Sequence, residues 1–289
     1  MQLGLVGLGK MGGNMAERLR RSGVEVVGFD SFSAKRDVDS LDAMVARLAR
    51  PRVAWVMVPS GDPTEAVVNQ LLGLLEPGDV LIEGGNSFYR DSQRRAEAAK
   101  AKGIHFIDCG TSGGIWGLQE GYCMMVGGEA EAVAIAQPVF DGLKGPESFA
   151  HVGPAGAGHF TKMVHNGVEY GMMQAFAEGW ELMKASELDI DVNKAFELWR
   201  HGSVVRSWLL DLAVLAIQDN PELEGIKGYA NDSGEGRWTV NEAVRLAVPA
   251  PVLTASLYAR FASRQQDMPA MKMIAALRNQ FGGHAIKKD

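Results

Sequence analysis

The sequence predicts a doubly wound α/β domain followed by an all-α domain. Three observations carry this. Apolar, β-branched runs alternate with helix-like stretches through the first half, a pattern that builds a parallel sheet with helices on both faces. A glycine-rich turn joins the first such run to the first helix. Past about residue 155 the strand-like runs stop and long helical periodicities take over. That places the domains at 1–155 and 156–289, in keeping with about 100–200 residues per domain.

The strands are expected at 2–7 (QLGLVG), 24–29 (VEVVGF), 53–58 (VAWVMV), 79–83 (DVLIE) and 104–108 (IHFID), with a further one at 122–128 (YCMMVGG). Short runs rich in Val and Ile, bounded by Gly, Pro and Asp, are the strand signal. Helices at 10–22, 40–50, 63–75 and 90–102 fill the gaps. In the second half GPAGAG (153–158) leads into a long helix at about 155–186, then 192–200, 204–219, 239–247 and 251–264, with a tail at 268–281. Gly225–Gly236 is expected to be a loop.

Hydrophobic residues make up 46% and charged residues 22%, the balance of an ordinary globular chain with ample length for a core. The formal net charge is −6 with no basic block, which argues against a nucleic-acid partner but leaves room for a local anion site. Two cysteines, Cys109 and Cys123, do not make a disulfide framework, and no CxxC points to zinc. A reducing cytoplasm is the expected compartment. The N-terminus enters an apolar run without a basic n-region, so no signal peptide is expected. Leu246–Ala259, the longest uncharged run near the end, contains Pro249 and Pro251 and is too short for a bilayer, so no membrane partner is expected.

GLGKMG holds Gly7, Gly9 and Gly12 between the first strand and the first helix, and Asp30 ends the second strand. In that context GxGxxG reads as a Rossmann-type dinucleotide turn, whose glycines let the backbone approach a pyrophosphate at the helix N-terminus. Lys10 and Met11 inside the motif, and Val58 and Pro59 after the third strand, join the cofactor residues. Asp30 is placed to accept from the adenosine ribose hydroxyls and to repel a 2′-phosphate. Ser31 and Phe32 follow with no adjacent Arg, so NAD is the preferred cofactor; Lys35 and Arg36 nearby leave NADP open. Three further loops, PSG (59–61), GGNSF (84–88) and GTSGG (110–114), leave the carboxyl ends of strands. Each alone is ordinary turn chemistry. Together on one sheet edge they point to a site, with Asn86 and Ser112 suited to an amide or a carboxylate.

KMVHNGVEY (162–170) carries Lys162, His165, Asn166, Glu169 and Tyr170 at i, i+3, i+4, i+7 and i+8. They cover an arc of about 140° on a helix. A solvated face is the plain explanation, but such faces are built from Glu, Lys, Arg and Gln rather than His, Asn and Tyr. Gly158, Gly167, Gly171 and Gly179 on the same helix cost helix stability, which suggests a closely packed, buried helix. A buried polar stripe needs partners, and a substrate rich in hydroxyls with a carboxylate supplies them. Lys162 and Glu169 lie two turns apart, about 10 Å along the axis, a separation suited to a base and an acid acting on different carbons.

GLGKMGGNMA, GGNSFYRDS, TSGG, GHFTKMVHNGVEYGMMQAFAEG and the terminal RNQFGGH together resemble the 6-phosphogluconate dehydrogenase family, decarboxylating, in its short, NAD-preferring form. The resemblance runs from residue 2 to about 284. It implies oxidative decarboxylation of 6-phosphogluconate to ribulose 5-phosphate and CO2. At the family's lysine position, Lys162 would take the C3 hydroxyl proton as hydride leaves C3, then polarise the ketone during decarboxylation. Glu169, at the acid position, would protonate C1. The β-keto group is itself the electron sink, so no metal is implied. Asn86 and the Ser112–Gly113–Gly114 turn match positions holding the substrate's carboxyl end and the nicotinamide. His165 and Asn166 match hydroxyl contacts. Tyr170, Arg260, Arg278 and His284 match a phosphate cluster, and Arg forks suit phosphate. The family's terminal Arg and His reach a neighbouring subunit's site, which implies a homo-oligomer, dimer or tetramer.

The chain also departs from the family. Ser233 stands where a phosphate-binding Lys is usual, and GIWGLQEG (114–121) differs from the acidic segment of longer members. Trp116 has no physical account beyond packing near the nicotinamide. The competing reading is a non-decarboxylating β-hydroxyacid dehydrogenase of the 3-hydroxyisobutyrate or tartronate semialdehyde type. It needs the cofactor loops and a helix lysine, but not His165, Glu169 or the terminal Arg/His pair. A non-catalytic nucleotide sensor is the alternative of another class, and it has no use for both Lys162 and Glu169.

Overall fold

The computed structural model describes residues 1–287. The chain divides into two compact units, Met1–His165 and the residues from Asn166 onward.

The first unit is an α/β layer structure. Its order is β1 (Gln2–Val6), α1 (Lys10–Arg21), β2 (Glu25–Phe29), α2 (Leu41–Arg47), β3 (Val53–Val56), α3 (Asp62–Leu74), β4 (Val80–Glu83), α4 (Tyr89–Lys100) and β5 (His105–Ser112). A 3-10 turn at Gly114–Trp116 and a single-turn helix α5 (Gly117–Glu120) follow, then β6 (Tyr122–Gly128), α6 (Ala130–Leu143) and β7 (Lys144–Gly153). The strands form one sheet in the order β2-β1-β3-β4-β5-β6-β7. The alternating side-chain directions of a strand explain the two cores. Val53 and Trp55 of β3 feed one, with α1 residues Met15 and Leu19 and α6 residues Val139 and Phe140. Ala54 and Val56 feed the other, with α2, α3 and Ala99 of α4. β3 and β4 are buried throughout, as central parallel strands covered on both faces should be.

The structure corrects three expectations here. β6 runs antiparallel to β5, so the sheet is not wholly parallel. The segment joining them holds only the 3-10 turn and α5, and a parallel crossover needs a dozen or more residues. Gly110–Ser112 is strand rather than loop, paired with Met125–Cys123 of β6. α6 and β7 were not legible in the sequence. Pro138 interrupts the helical pattern of α6, and β7 is an edge strand with no clean alternation of burial.

α7 (Ala157–Lys184) is continuous, and the division between the units falls inside it, between His165 and Asn166. The second unit is helical: α8 (Val192–Trp199), α9 (Trp208–Asp219), α10 (Glu235–Arg245), α11 (Pro251–Ser263) and α12 (Pro269–Gly282). Asp191 caps α8 through Lys194 N–H, and Ser207 caps α9 through Leu210 N–H. The Ser207 cap explains why α9 begins later than the expected residue 204. α10 begins before the expected 239 because Gly236 is a packing glycine, not a loop residue: a Cβ there would lie 2.6 Å from the Tyr170 ring. Among the described residues no helix is long and apolar enough to cross a membrane.

Candidate active site

The glycine turn is built by close approach. Gly7 has φ +95°, a conformation that favours glycine, and its N–H donates to the Phe29 carbonyl at 2.8 Å. A Cβ on Gly12 would lie 1.9 Å from the Gly7 carbonyl oxygen, so only glycine lets α1 start this close to β1. α1 has Gly9 at its N-cap, no side-chain cap and no acidic residue in its first turn. Its N-terminal N–H groups therefore offer an anion site. β2 and β3 flank β1, so the turn sits where the strand order reverses, the place such sheets bind ligands. A cavity of about 810 Å³ opens beside it, lined by Gly9, Lys10, Asn14, Arg20, Ser33 and Lys35.

Asp30 closes this end. It accepts Leu8 N–H at 2.7 Å on one oxygen and the Phe32 and Ser33 N–H groups at 2.7 and 2.9 Å on the other. Burial pushes its carboxyl up, but those three donors and the Arg36 charge outweigh burial and hold it below its ordinary value. Asp30 is thus an anionic acceptor and the tether of its own loop. Met11 packs against the first core and Val58 against the second, and the Pro59 carbonyl accepts the Thr64 hydroxyl at 2.8 Å. An uncapped helix start, an open approach at Gly9 and a fixed carboxylate at Asp30 fit a dinucleotide such as NAD.

Lys162 is 5% exposed on α7. A Cβ on Gly110 of β5 would lie 2.4 Å from the Lys162 Cβ, so the bare Gly110 backbone is the seat of this lysine. Its Nζ is 3.4 Å from His165 Nδ1. Asp108, fully buried on β5, accepts Gly156 N–H at 2.6 Å and His159 N–H at 2.7 Å, which caps the start of α7. Asn86, at φ +52°, accepts Thr111 N–H at 3.2 Å and donates to the Thr111 carbonyl at 3.4 Å. Its amide keeps one N–H and one lone pair beyond these bonds. Ser112 ends β5, and Gly113 and Gly114 turn the chain into the 3-10 segment, where Ile115 and Trp116 are exposed.

The second unit holds the rest of the stripe. Asn166 donates to Glu235 Oε2, a residue the sequence reading did not single out. Tyr170 is buried; its hydroxyl accepts Ser233 N–H at 2.8 Å and lies 3.2 Å from Ser233 Oγ. The Arg260 guanidinium stacks 3.5 Å from the Tyr170 ring centroid and donates to the Asn231 carbonyl. Tyr170, Ser233 and Arg260 therefore come together. Glu169 is half-buried, whereas His165 is exposed, so the stripe is not buried throughout. Lys162 and Tyr170 are its buried ends and Asn166 is half-buried like Glu169, while Val164 and Val168 face outward. Arg278 and His284 are exposed, on and just past α12, which buries no residue; among the described residues neither bonds to Tyr170 or Arg260. Asp108 and Glu235 escaped the sequence reading because a lone acid carries no signal until its partners are in place. Among the described residues no group of three His, Cys, Asp or Glu is placed to hold a metal ion.

Comparison with known proteins bears on the whole chain. Residues 2–153 match the NAD binding domain of 6-phosphogluconate dehydrogenase, and residues 158–280 match the C-terminal domain of 6-phosphogluconate dehydrogenase. A Bacillus subtilis (strain 168) protein provisionally named 6-phosphogluconate dehydrogenase YqeC is 44% identical over the full length of both chains. The NAD(+)-dependent, decarboxylating 6-phosphogluconate dehydrogenase of Haloferax volcanii is 40% identical over all of this chain and 99% of that protein. Among solved structures, Plasmodium falciparum 6-phosphogluconate dehydrogenase aligns with TM-score 0.81 and 25% identity, covering all of this chain and 66% of that one. Mycobacterium tuberculosis 3-hydroxyisobutyrate dehydrogenase aligns with TM-score 0.74 and 24% identity over 96% of this chain and 99% of that one, a likeness of fold.

Proposed function

The chain belongs to the 6-phosphogluconate dehydrogenase family, and on that premise we propose that it oxidatively decarboxylates 6-phosphogluconate to ribulose 5-phosphate and CO2 with reduction of NAD. The observation that carries this reading is Lys162, buried against Gly110, 3.4 Å from His165 and on the same helix as Glu169. NAD, which the Gly7–Gly12 turn and Asp30 would hold, would supply the hydride acceptor for C3. Lys162 takes the C3 hydroxyl proton in that step. In its protonated form it then donates to the ketone oxygen, which stabilises the charge that develops as the C1 carboxylate leaves as CO2. Glu169 protonates the former C2, now C1 of the resulting enediol, while Lys162 takes back the hydroxyl proton and the ketone of ribulose 5-phosphate forms.

The remaining assignments follow the same reading. Asn86 with Ser112, Gly113 and Gly114 holds the carboxyl end and the nicotinamide. His165 and Asn166 orient hydroxyls. Tyr170 and Arg260 take the phosphate, with Arg278 and His284 supplied by another copy of the chain. Gly7, Gly9, Lys10, Met11, Gly12, Asp30, Val58 and Pro59 hold the cofactor. Asp30 favours NAD, with NADP a poorer alternative. The cofactor half is 1–155 and the substrate half 156–289, and the working assembly is a cytoplasmic homo-oligomer.

Steady-state kinetics with 6-phosphogluconate and NAD, scored for both CO2 and reduced cofactor, test the reading. Lys162→Ala is expected to lower kcat about 10²–10⁴-fold while NAD binding persists. Reduced cofactor without CO2 would move the assignment to a non-decarboxylating β-hydroxyacid dehydrogenase, which at present rests on likeness of fold.

A further inference from the structure

A chain of buried polar side chains runs through the first unit outside the groups given a chemical role above. Glu83, Arg95, Ser92 and His159 are each 2% exposed or less. Arg95 Nη1 donates to Glu83 Oε1 at 2.9 Å and to the Ser87 hydroxyl at 3.3 Å. Ser92 Oγ donates to the other Glu83 oxygen at 3.2 Å and lies 2.7 Å from His159 Nδ1. A carboxylate only accepts, so the Ser92 proton points to Glu83 and Nδ1–H donates to Ser92. This order leaves His159 Nε2 a buried lone pair, and among the described residues that atom has no hydrogen-bond partner.

Stability alone does not account for the arrangement. A buried ion pair is often replaced by apolar side chains without loss, and a buried acceptor without a donor costs stability. What the chain does is connect. One branch ends at Ser87, the neighbour of Asn86. The other ends at His159, one helical turn before Lys162. The Arg95 Nε bond to Glu65 at 2.9 Å ties both branches to α3. Asp108 ties the first turn of α7 to β5, and the Ser92–His159 bond adds a lateral anchor to α4 that opposes rotation of the turn.

We propose that the Arg95–Glu83–Ser92–His159 chain is a positioning device for the reaction: Ser92 and His159 set the rotation of α7, and so hold Lys162 in register with Asn86. This rests on the reading of Lys162 as the base. Displacing a reacting group by about 1 Å costs about 10²-fold, so a small rotation of α7 has a measurable effect.

The test is steady-state kinetics of the full-length protein with 6-phosphogluconate and NAD. Ser92→Ala and His159→Leu are expected to lower kcat about 10- to 100-fold with the KM for NAD within about twofold. His159→Asn keeps an N–H where Nδ1 stood and is expected to recover kcat to within about threefold of wild type. Amide exchange should quicken at residues 157–163 in Ser92→Ala and stay unchanged across α1. Should His159→Leu not fold, Ser92→Ala, which deletes one oxygen, decides alone. Wild-type kcat in Ser92→Ala beside an inactive Lys162→Ala overturns the positioning role only. Parallel loss of kcat, cofactor affinity and folded fraction, without rescue by His159→Asn, overturns it as well. Turnover retained in Lys162→Ala overturns the reading of the base and this proposal together.

Discussion

The two compact units differ in how completely they bury their own apolar side chains. The first covers both faces of its sheet, with Trp55, Phe140 and Leu81 fully buried among two clusters. The second has a small buried cluster, Val192, Phe196, Leu210, Val214 and Ile217. It leaves large apolar side chains outside, with Val204 99%, Phe281 79% and Val244 77% exposed. α12 buries nothing and still presents Met271, Met273, Ile274, Leu277 and Phe281. Apolar surface on that scale marks an interaction face. The first unit buries its own core, and the exposed apolar side chains of the second support the homo-oligomer proposed above.

Three experiments can break or sharpen that contrast. Phe140→Ala should cost about 3–5 kcal/mol in urea unfolding, because it empties a close-packed core site. A loss under about 1 kcal/mol would mean the first unit tolerates cavities and its core is not close-packed.

Next in size is Asp232→Asn. Asp232 accepts from Arg237 and Arg264, and the Arg237 bond chiefly holds its carboxyl down at about 2. A carboxyl whose folded pKa is lowered stabilises the fold above its ordinary value and loses that contribution as pH falls towards the folded pKa. Wild type should therefore exceed Asp232→Asn by about 1.5–3 kcal/mol at pH 6, the range for hydrogen bonds to charged groups. The gap should close as pH falls through the ordinary aspartate value of 3.8 towards 2. A gap constant with pH would show that packing, not charge, is what Asp232 contributes.

The smallest folding effect belongs to the pair Val204→Ser and Val244→Ser. Monomer stability should shift by less than about 0.5 kcal/mol, as for surface sites without special contacts. Sedimentation velocity should nonetheless show a displaced association equilibrium if these side chains lie in an interface. Unchanged association together with reduced stability would reassign them to the unit's own fold.

Local pattern made much of the fold legible. The strands from β1 to β4 fall within their apolar runs, and the glycine turn sits where the motif and Asp30 placed it. α6 and β7 stayed hidden because Pro138 masks one and exposure at the sheet edge masks the other. In the site, helical spacing brought Lys162, Asn166 and Tyr170 onto one line. The same spacing put His165 with them, although it is exposed. Periodicity reports which residues share a face of a helix, not how deeply that face is packed.

The sequence by itself determined the alternation that builds the sheet, the uncapped glycine start of α1 and the lysine-bearing stripe of α7. Each follows from rules that act within a few residues: steric limits on φ, the pitch of a helix and the pleat of a strand. Only the tertiary structure decided that Gly110 is the seat of Lys162, that Asp108 caps α7 and that Glu83, Ser92 and His159 form one buried chain. Those partners lie far apart in sequence, and a polar side chain acquires its role from the donor or acceptor that folding brings to it.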